Sequence, residues 1–196
     1  MMSLPVPVRV SLLLSVLLAG ASLGVAPARA ETLGSGPTIV IGYSGDEDGN
    51  GVARDLMLTA IGWKWRRDGA EWIDDFMAKG SIDFSWAVEP LVGGVFGEAH
   101  AFEASVVPYF QLRPLGWEGV TPYFEGGIGL AYTSLDNYGL GSHVQFSDNV
   151  GVGIAFGKEF GTRWTIGYRF RHLSHAGLWG DRNEGLNAHF LAVTIE

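Results

Sequence analysis

From about residue 80 to the end of the chain, apolar and polar residues alternate with a period of two. Successive side chains of a β-strand point to opposite faces, so this alternation predicts strands whose two faces meet different surroundings. The segments that show it are 81–89, 102–112, 124–132, 144–156, 164–174 and a last one around 191–196. Each has one face of large apolar side chains, such as Trp164, Ile166, Tyr168 and Phe170.

Two weaker segments, about 38–45 and 53–65, complete an even number of strands. Single-chain barrels of the bacterial outer membrane have an even number of antiparallel strands, and strands of about 9 to 11 residues cross a bilayer when tilted. The pattern therefore predicts an all-β fold, an eight-stranded antiparallel transmembrane β-barrel, with no second domain.

The composition of the polar face indicates which side of the barrel faces outward. This face is rich in glycine, alanine and serine, with scattered charges, whereas a surface in water would carry many lysines and glutamates. The lumen of an eight-stranded barrel is just wide enough for side chains, so small residues fit inside it. The apolar face then meets lipid. A soluble periplasmic barrel that binds lipid inside is the opposite arrangement and stays an alternative.

Opposite charges on the polar face are expected to compensate one another inside the barrel. The expected partners are Asp83, Glu89, Glu103 and Glu125 on one side and Arg169 and Arg171 on the other. The charged stretch 66–75 and the polar stretch 136–142 are interpreted as loops or turns.

Residues 1–30 are typical of a secretory signal peptide. Arg9 precedes an apolar stretch over 10–25, and Ala28-Arg29-Ala30 fits a cleavage site. The mature barrel domain is then 31–196, located in the cell outer membrane. A retained membrane anchor is the alternative for this segment.

Charge and cysteine content narrow the functional classes. The whole chain has a formal charge of -8, and loss of Arg9 and Arg29 with the signal makes it -10, which argues against nucleic acid as a partner. The chain has no cysteine, so an exported domain must be held together by packing and a closed hydrogen-bond network rather than by disulfides.

His172 and Ser174 carry the candidate chemistry. They continue the apolar face of segment 164–174, so a base and a hydroxyl are predicted where lipid is expected. Polar groups facing hydrocarbon are costly without partners, which suggests a site that acts on lipid. An imidazole within hydrogen-bond reach activates a serine hydroxyl as a nucleophile. Asn187 has the outward parity of the final strand and is the expected third member.

The stretch His172-Leu173-Ser174-His175-Ala176-Gly177, followed by Asn183-Glu184-Gly185-Leu186-Asn187, resembles the signature of the lipid A 3-O-deacylase (PagL-type) family. The resemblance extends through residues 41–45 and 122–129. It implies an outer-membrane serine esterase that removes the 3-O-linked acyl chain of lipid A. Ser174 would be the nucleophile, His172 the general base and Asn183 part of the oxyanion hole, with backbone amides around Ala176 and Gly177 assisting.

The chain departs from the family signature at two positions and in one loop length. Asn187 stands where the family has a glutamate, and His175 follows the serine where the family has asparagine, with one extra residue in the intervening loop. A catalytically impaired or non-catalytic structural barrel of the same fold is therefore the alternative function.

The resemblance implies no cofactor and no metal. His172 and His175 lie three apart, and residues at that spacing on a strand point to opposite faces, so they do not form a metal site. Lipid A, as lipopolysaccharide, is the expected substrate, outer-membrane lipid is the expected surroundings, and a homodimer is the assembly left open.

Overall fold

A computed structural model describes residues 34–45, 55–117, 119–135, 139–157, 162–179 and 183–196 of the chain. These residues form eight strands and one helix, listed here in chain order. They are β1 (Ser35–Ser44), β2 (Leu56–Asp68), α1 (Glu71–Ala78), β3 (Ile82–Gly97), β4 (Ala101–Pro114), β5 (Thr121–Thr133), β6 (Val144–Gly157), β7 (Arg163–Ser174) and β8 (Leu186–Ile195).

The strands form one closed antiparallel barrel in which each strand pairs with its neighbours in sequence. The barrel closes where β1 pairs with β8, with Thr38 opposite Thr194 and Tyr43 opposite His189. The hydroxyls of Thr38 and Thr194 are 2.9 Å apart across this closure. Closure leaves no unpaired strand edge, and the predicted eight-stranded all-β barrel is confirmed.

The apolar face of the barrel points outward. Ile39, Ile61 and Ile128 are each more than half exposed, whereas polar side chains such as Gln111 and Gln145 are almost fully buried. This is the reverse of a soluble protein, and it contradicts the alternative in which the apolar face lines the interior. The outward surface suits lipid hydrocarbon, because water would have to solvate large apolar side chains all around the barrel.

Buried ion pairs fill the middle of the barrel. Arg169 binds both Glu89 and Glu125, Arg171 binds Glu103, and the Lys64 ammonium lies 2.8 Å from a Glu125 carboxylate oxygen. We call these six residues the luminal ion network.

The observed ion pairs differ from the expected ones in two details. Asp83 lies opposite Arg113, nearer one end of the barrel, and not against Arg169 or Arg171. Lys64 was not expected in the lumen, because the segment containing it alternates only weakly.

The stretch expected to be a loop at 66–75 was wrongly interpreted. β2 continues to Asp68, and Glu71–Ala78 forms the helix α1. The acidic residues of α1 hid the apolar spacing of Trp72 and Phe76, which lie one helical turn apart. Strand β3 also extends past residue 89 to Gly97, through Pro90 and a pair of glycines that interrupt the alternation.

The two ends of the barrel differ in their connections. One end carries the start of β1, the end of β8 and the connections β2–β3, β4–β5 and β6–β7, and we call it the terminal rim. The other end, the loop rim, carries β1–β2, β3–β4, β5–β6 and β7–β8. Residues 139–142 of the β5–β6 connection contain no strand, as expected, whereas residues 136–138 and the predicted signal at 1–30 lie outside the described residues. No helix in the described ranges has the length and apolar character to cross a membrane.

Candidate active site

His172, Ser174 and Asn187 lie together on the outward face at the loop rim. His172 and Ser174 are the last two outward residues of β7, and both are partly buried. In the β7–β8 ladder His172 is the direct partner of Asn187. The order of the strands and their register thus bring the three residues to one place on the barrel surface.

A hydrogen bond joins His172 to Asn187. The imidazole Nδ1 and the amide Oδ1 are 2.6 Å apart. An amide carbonyl oxygen can only accept a hydrogen bond, so Nδ1 carries the proton and donates the hydrogen bond to Asn187. In a neutral imidazole this tautomer leaves the lone pair on Nε2, which is the form that acts as a base.

Gly185 packs against the imidazole just before β8 begins. It has a φ of +77°, and a Cβ placed there would lie 2.5 Å from Cε1 of His172 and 3.1 Å from Nε2. Only glycine fits this combination of left-handed backbone and close contact. The glycine therefore fixes one side of the ring, while Asn187 holds its Nδ1.

Ser174 borders an apolar wall. Its partner in the β6–β7 ladder is Phe146, and the ring of Trp179 stacks on Phe146 with their centroids 6.2 Å apart. No hydrogen bond joins Ser174 to His172 within the described part of the chain. The two Cα atoms are two strand residues apart, or roughly 6.6 Å, and the two side chains share the outward face of β7.

Asn183 is tied to the turn that follows Ser174. Its Oδ1 accepts a hydrogen bond from the backbone N–H of His175 at 3.0 Å. Because the oxygen is bound in this way, the NH₂ group of the amide is the part that can donate to a ligand. Ala176 and Gly177 both have positive φ, 52° and 72°, and Leu178 N donates to His175 O at 2.9 Å. A left-handed alanine is costly and such backbone clusters at functional sites.

Glu184 faces away from the imidazole. Its backbone N–H donates to Gly139 O at 3.0 Å, and its side chain packs beside Gly139 in the β5–β6 connection. Three other histidines make local contacts. His143 Nδ1 lies 2.9 Å from Thr133 O, His189 Nδ1 lies 2.6 Å from the Tyr168 hydroxyl, and His100 packs edge-on against Phe96. The described residues contain no group of three or more histidine, cysteine or carboxylate side chains placed to hold a metal ion.

Three residues near the site were missed by reasoning from the sequence. Asp148 lies on the outward face of β6 as the direct ladder partner of His172, and its signal was available, because it breaks the apolar row of β6. Trp179 and Gly185 lie outside the strands, where alternation predicts nothing, and only their contacts reveal them.

The description of the matching family model is Lipid A 3-O-deacylase (PagL), and the match covers residues 58–196. Two curated relatives are lipid A deacylases PagL. The one from Bordetella bronchiseptica is 33% identical over 100 residues, which is 50% of this chain and 51% of the relative. The one from Pseudomonas aeruginosa is 32% identical over 94 residues, 46% of this chain and 51% of the relative. The aligned part of the chain thus spans about half the length of each curated relative.

Two solved structures share the fold. The crystal structure of the outer membrane enzyme PagL matches with a TM-score of 0.65 and 24% identity, over 83% of this chain and 99% of that one. Neisserial surface protein A matches with a TM-score of 0.52 and 13% identity, over 82% of this chain and 92% of that one. Because the family model covers most of the barrel and the whole candidate site, the chain belongs to the lipid A 3-O-deacylase (PagL) family.

Proposed function

We propose that this protein is an outer-membrane serine esterase that removes the 3-O-linked acyl chain from lipid A. The observation that carries the proposal is the hydrogen bond from His172 to Asn187 on an outward, largely apolar surface, two residues from Ser174. A base held in one tautomer beside a hydroxyl is what acyl transfer needs. The site lies at the rim of an apolar surface, and this is the depth in a membrane at which an ester between a sugar and an acyl chain lies.

In the first half of the reaction, Ser174 Oγ attacks the ester carbonyl and His172 Nε2 takes the hydroxyl proton. The carbonyl oxygen becomes negative, and the amide N–H of Asn183, with backbone N–H groups of Ala176 and Gly177, stabilises it. Donors aimed at such an oxygen are often the largest single contribution to catalysis. Collapse of the intermediate breaks the bond to the sugar oxygen, which takes the proton from His172 and leaves as a hydroxyl.

In the second half, water hydrolyses the acyl-serine. His172 takes a proton from the water, the resulting hydroxide attacks the acyl carbonyl, and the proton passes to Ser174 Oγ as the fatty acid leaves. The apolar wall of Phe146 and Trp179 supports the proposal, since an acyl chain lying along it would remain in contact with hydrocarbon throughout.

Cleavage of the signal after Ala30, with 31–196 as the mature outer-membrane domain, belongs to the same proposal, and the mass of the protein recovered from outer membranes tests it. The homodimer stays a prediction, which light scattering of the detergent-solubilised protein tests.

The decisive experiment folds the mature protein in detergent, incubates it with purified lipid A and follows product masses. We expect loss of one ester-linked hydroxyacyl chain, abolished by Ser174→Ala. Ser142→Ala is the matched control, because Ser142 is a serine of the loop rim whose Oγ only caps the Val144 N–H at 3.2 Å. Unchanged lipid A with a folded barrel would support the alternative, a structural barrel that does not catalyse.

A further inference from the structure

The outward face of the described strands carries very few charged residues. Among the outward positions of the eight described strands, Arg67 and Asp148 alone are charged. Arg67 lies at the end of β2 on the terminal rim, where a long side chain reaches the membrane surface. Asp148 lies four residues inside β6. A carboxylate facing hydrocarbon is costly and marks a functional site by default.

Asp148 lies in register with the proposed base. It is the ladder partner of His172 across β6 and β7, as Asn187 is across β7 and β8. Side chains of direct partners on one face have Cβ atoms about 5 Å apart. We call Asp148, His172 and Asn187 the outer polar row. Within the described residues, no lysine or arginine forms an ion pair with Asp148.

The two neighbours of His172 differ in charge. Asn187 is neutral, so its Oδ1 holds the Nδ1 proton in place but offers no full negative charge when the imidazole becomes positive. In a serine protease the same replacement of the acid by asparagine lowered kcat about 10⁴-fold, a known example. On the outward faces of the described strands Asp148 is the only carboxylate, and it lies on the other side of His172 from Asn187.

We propose that Asp148 is a positioning residue that supplies the negative charge which Asn187 lacks. The inference rests on the proposed esterase function. When Ser174 Oγ gives its proton to Nε2, the ring becomes an imidazolium between Asn187 and Asp148. In this role Asp148 takes no proton from the ring. Asn187 selects the tautomer, and Asp148 stabilises the charged ring.

The test measures kcat and KM on purified lipid A for detergent-folded variants. Asp148→Asn is expected to lower kcat about ten- to a hundredfold, less than the loss of a directly bonded acid, with little change in KM. Asp148→Glu should keep most of the activity, because it keeps the charge. Asp55→Asn, the same substitution at the loop rim outside the row, should leave kcat within about twofold of the unmodified protein.

A second variant tests whether the negative charge of Asp148 is what matters, by placing a carboxylate on the opposite side of the histidine. Adding Asn187→Glu to Asp148→Asn should restore most of the lost kcat, because a carboxylate then contacts Nδ1 directly. A merely structural role for Asp148 would lower the unfolding temperature and would not be rescued there. Unchanged kcat in Asp148→Asn, or a loss that Asn187→Glu leaves in place, overturns this inference while the esterase stands. An unmodified protein without activity overturns both.

Discussion

The luminal ion network and the outer polar row place charged and polar groups on opposite sides of the same barrel wall. The two sets differ in how their charged groups are paired. In the lumen each carboxylate of the network binds at least one cation, and Arg169 bridges two of them. In the outer row a hydrogen bond joins His172 to Asn187, and Asp148 forms no ion pair with a lysine or arginine of the described residues. Closed networks suit a structural role. A carboxylate without a cation on a costly surface suits a functional site.

The largest expected effect is on the stability of the lumen. Arg169→Met would leave the buried Glu89 without its cation and the buried Glu125 with Lys64. We therefore expect a loss of about 3–5 kcal/mol in the free energy of unfolding. Urea unfolding of the barrel in lipid vesicles, followed by tryptophan fluorescence, measures it. Arg67→Met is the matched control and should change stability by no more than about 0.5 kcal/mol. Equal losses in the two variants would mean that the network is not what stabilises the barrel.

The next effect is on the geometry of the outer row. Gly185→Ala would push a methyl group against the His172 ring, and we expect kcat to fall about ten- to a hundredfold, as small displacements of catalytic groups do. Gly116→Ala is an unusually close control. Gly116 also has a φ of +77°, but a Cβ there meets nothing within 4 Å.

Both alanine variants should lose about 1–2 kcal/mol of stability from the left-handed backbone, and only Gly185→Ala should lose activity. A similar loss of kcat in both would trace the effect to backbone strain and not to the imidazole.

The smallest effect is expected on the apolar wall. Trp179→Ala removes the ring stacked on Phe146, and an aromatic contact of this kind corresponds to about a two- to tenfold rise in KM for lipid A. Trp117→Ala, an exposed tryptophan of the terminal rim, is the control. Steady-state kinetics on mixed micelles separates them. A rise in KM of the same size in both variants would assign the effect to general membrane contact.

Much of the fold was predictable because strand parity is a local property. The outward face of β7 is indicated by its own apolar residues, independently of the rest of the chain: Trp164, Ile166, Tyr168 and Phe170. His172 and Ser174 follow the same parity and so lie on the same face. The same reasoning failed over 66–75, where charged residues obscure a helix of two turns. It also underestimated β3, because Pro90 and its neighbouring glycines break the alternation without ending the pairing.

The candidate site was predictable only in part, for a related reason. The alternation and the motif together point to His172, Ser174 and Asn187, since all three lie on outward positions of consecutive strands. Asp148 is as visible in the sequence as they are, but its relation to His172 depends on how β6 and β7 are aligned. The register of the two strands is set by turn length and by closure of the barrel, and neither can be predicted from the residues of one strand.

The sequence by itself thus determined an eight-stranded barrel, its apolar outer face and a histidine and serine side by side on that face, because each follows from a period of two or from a short motif. The tertiary structure decided what surrounds them: Asp148 across one ladder, Asn187 across the other, Gly185 against the ring and Trp179 over Phe146. It also decided that Lys64 joins Glu125 in the lumen. These are contacts between residues distant in sequence, and only the register of a closed sheet brings them together.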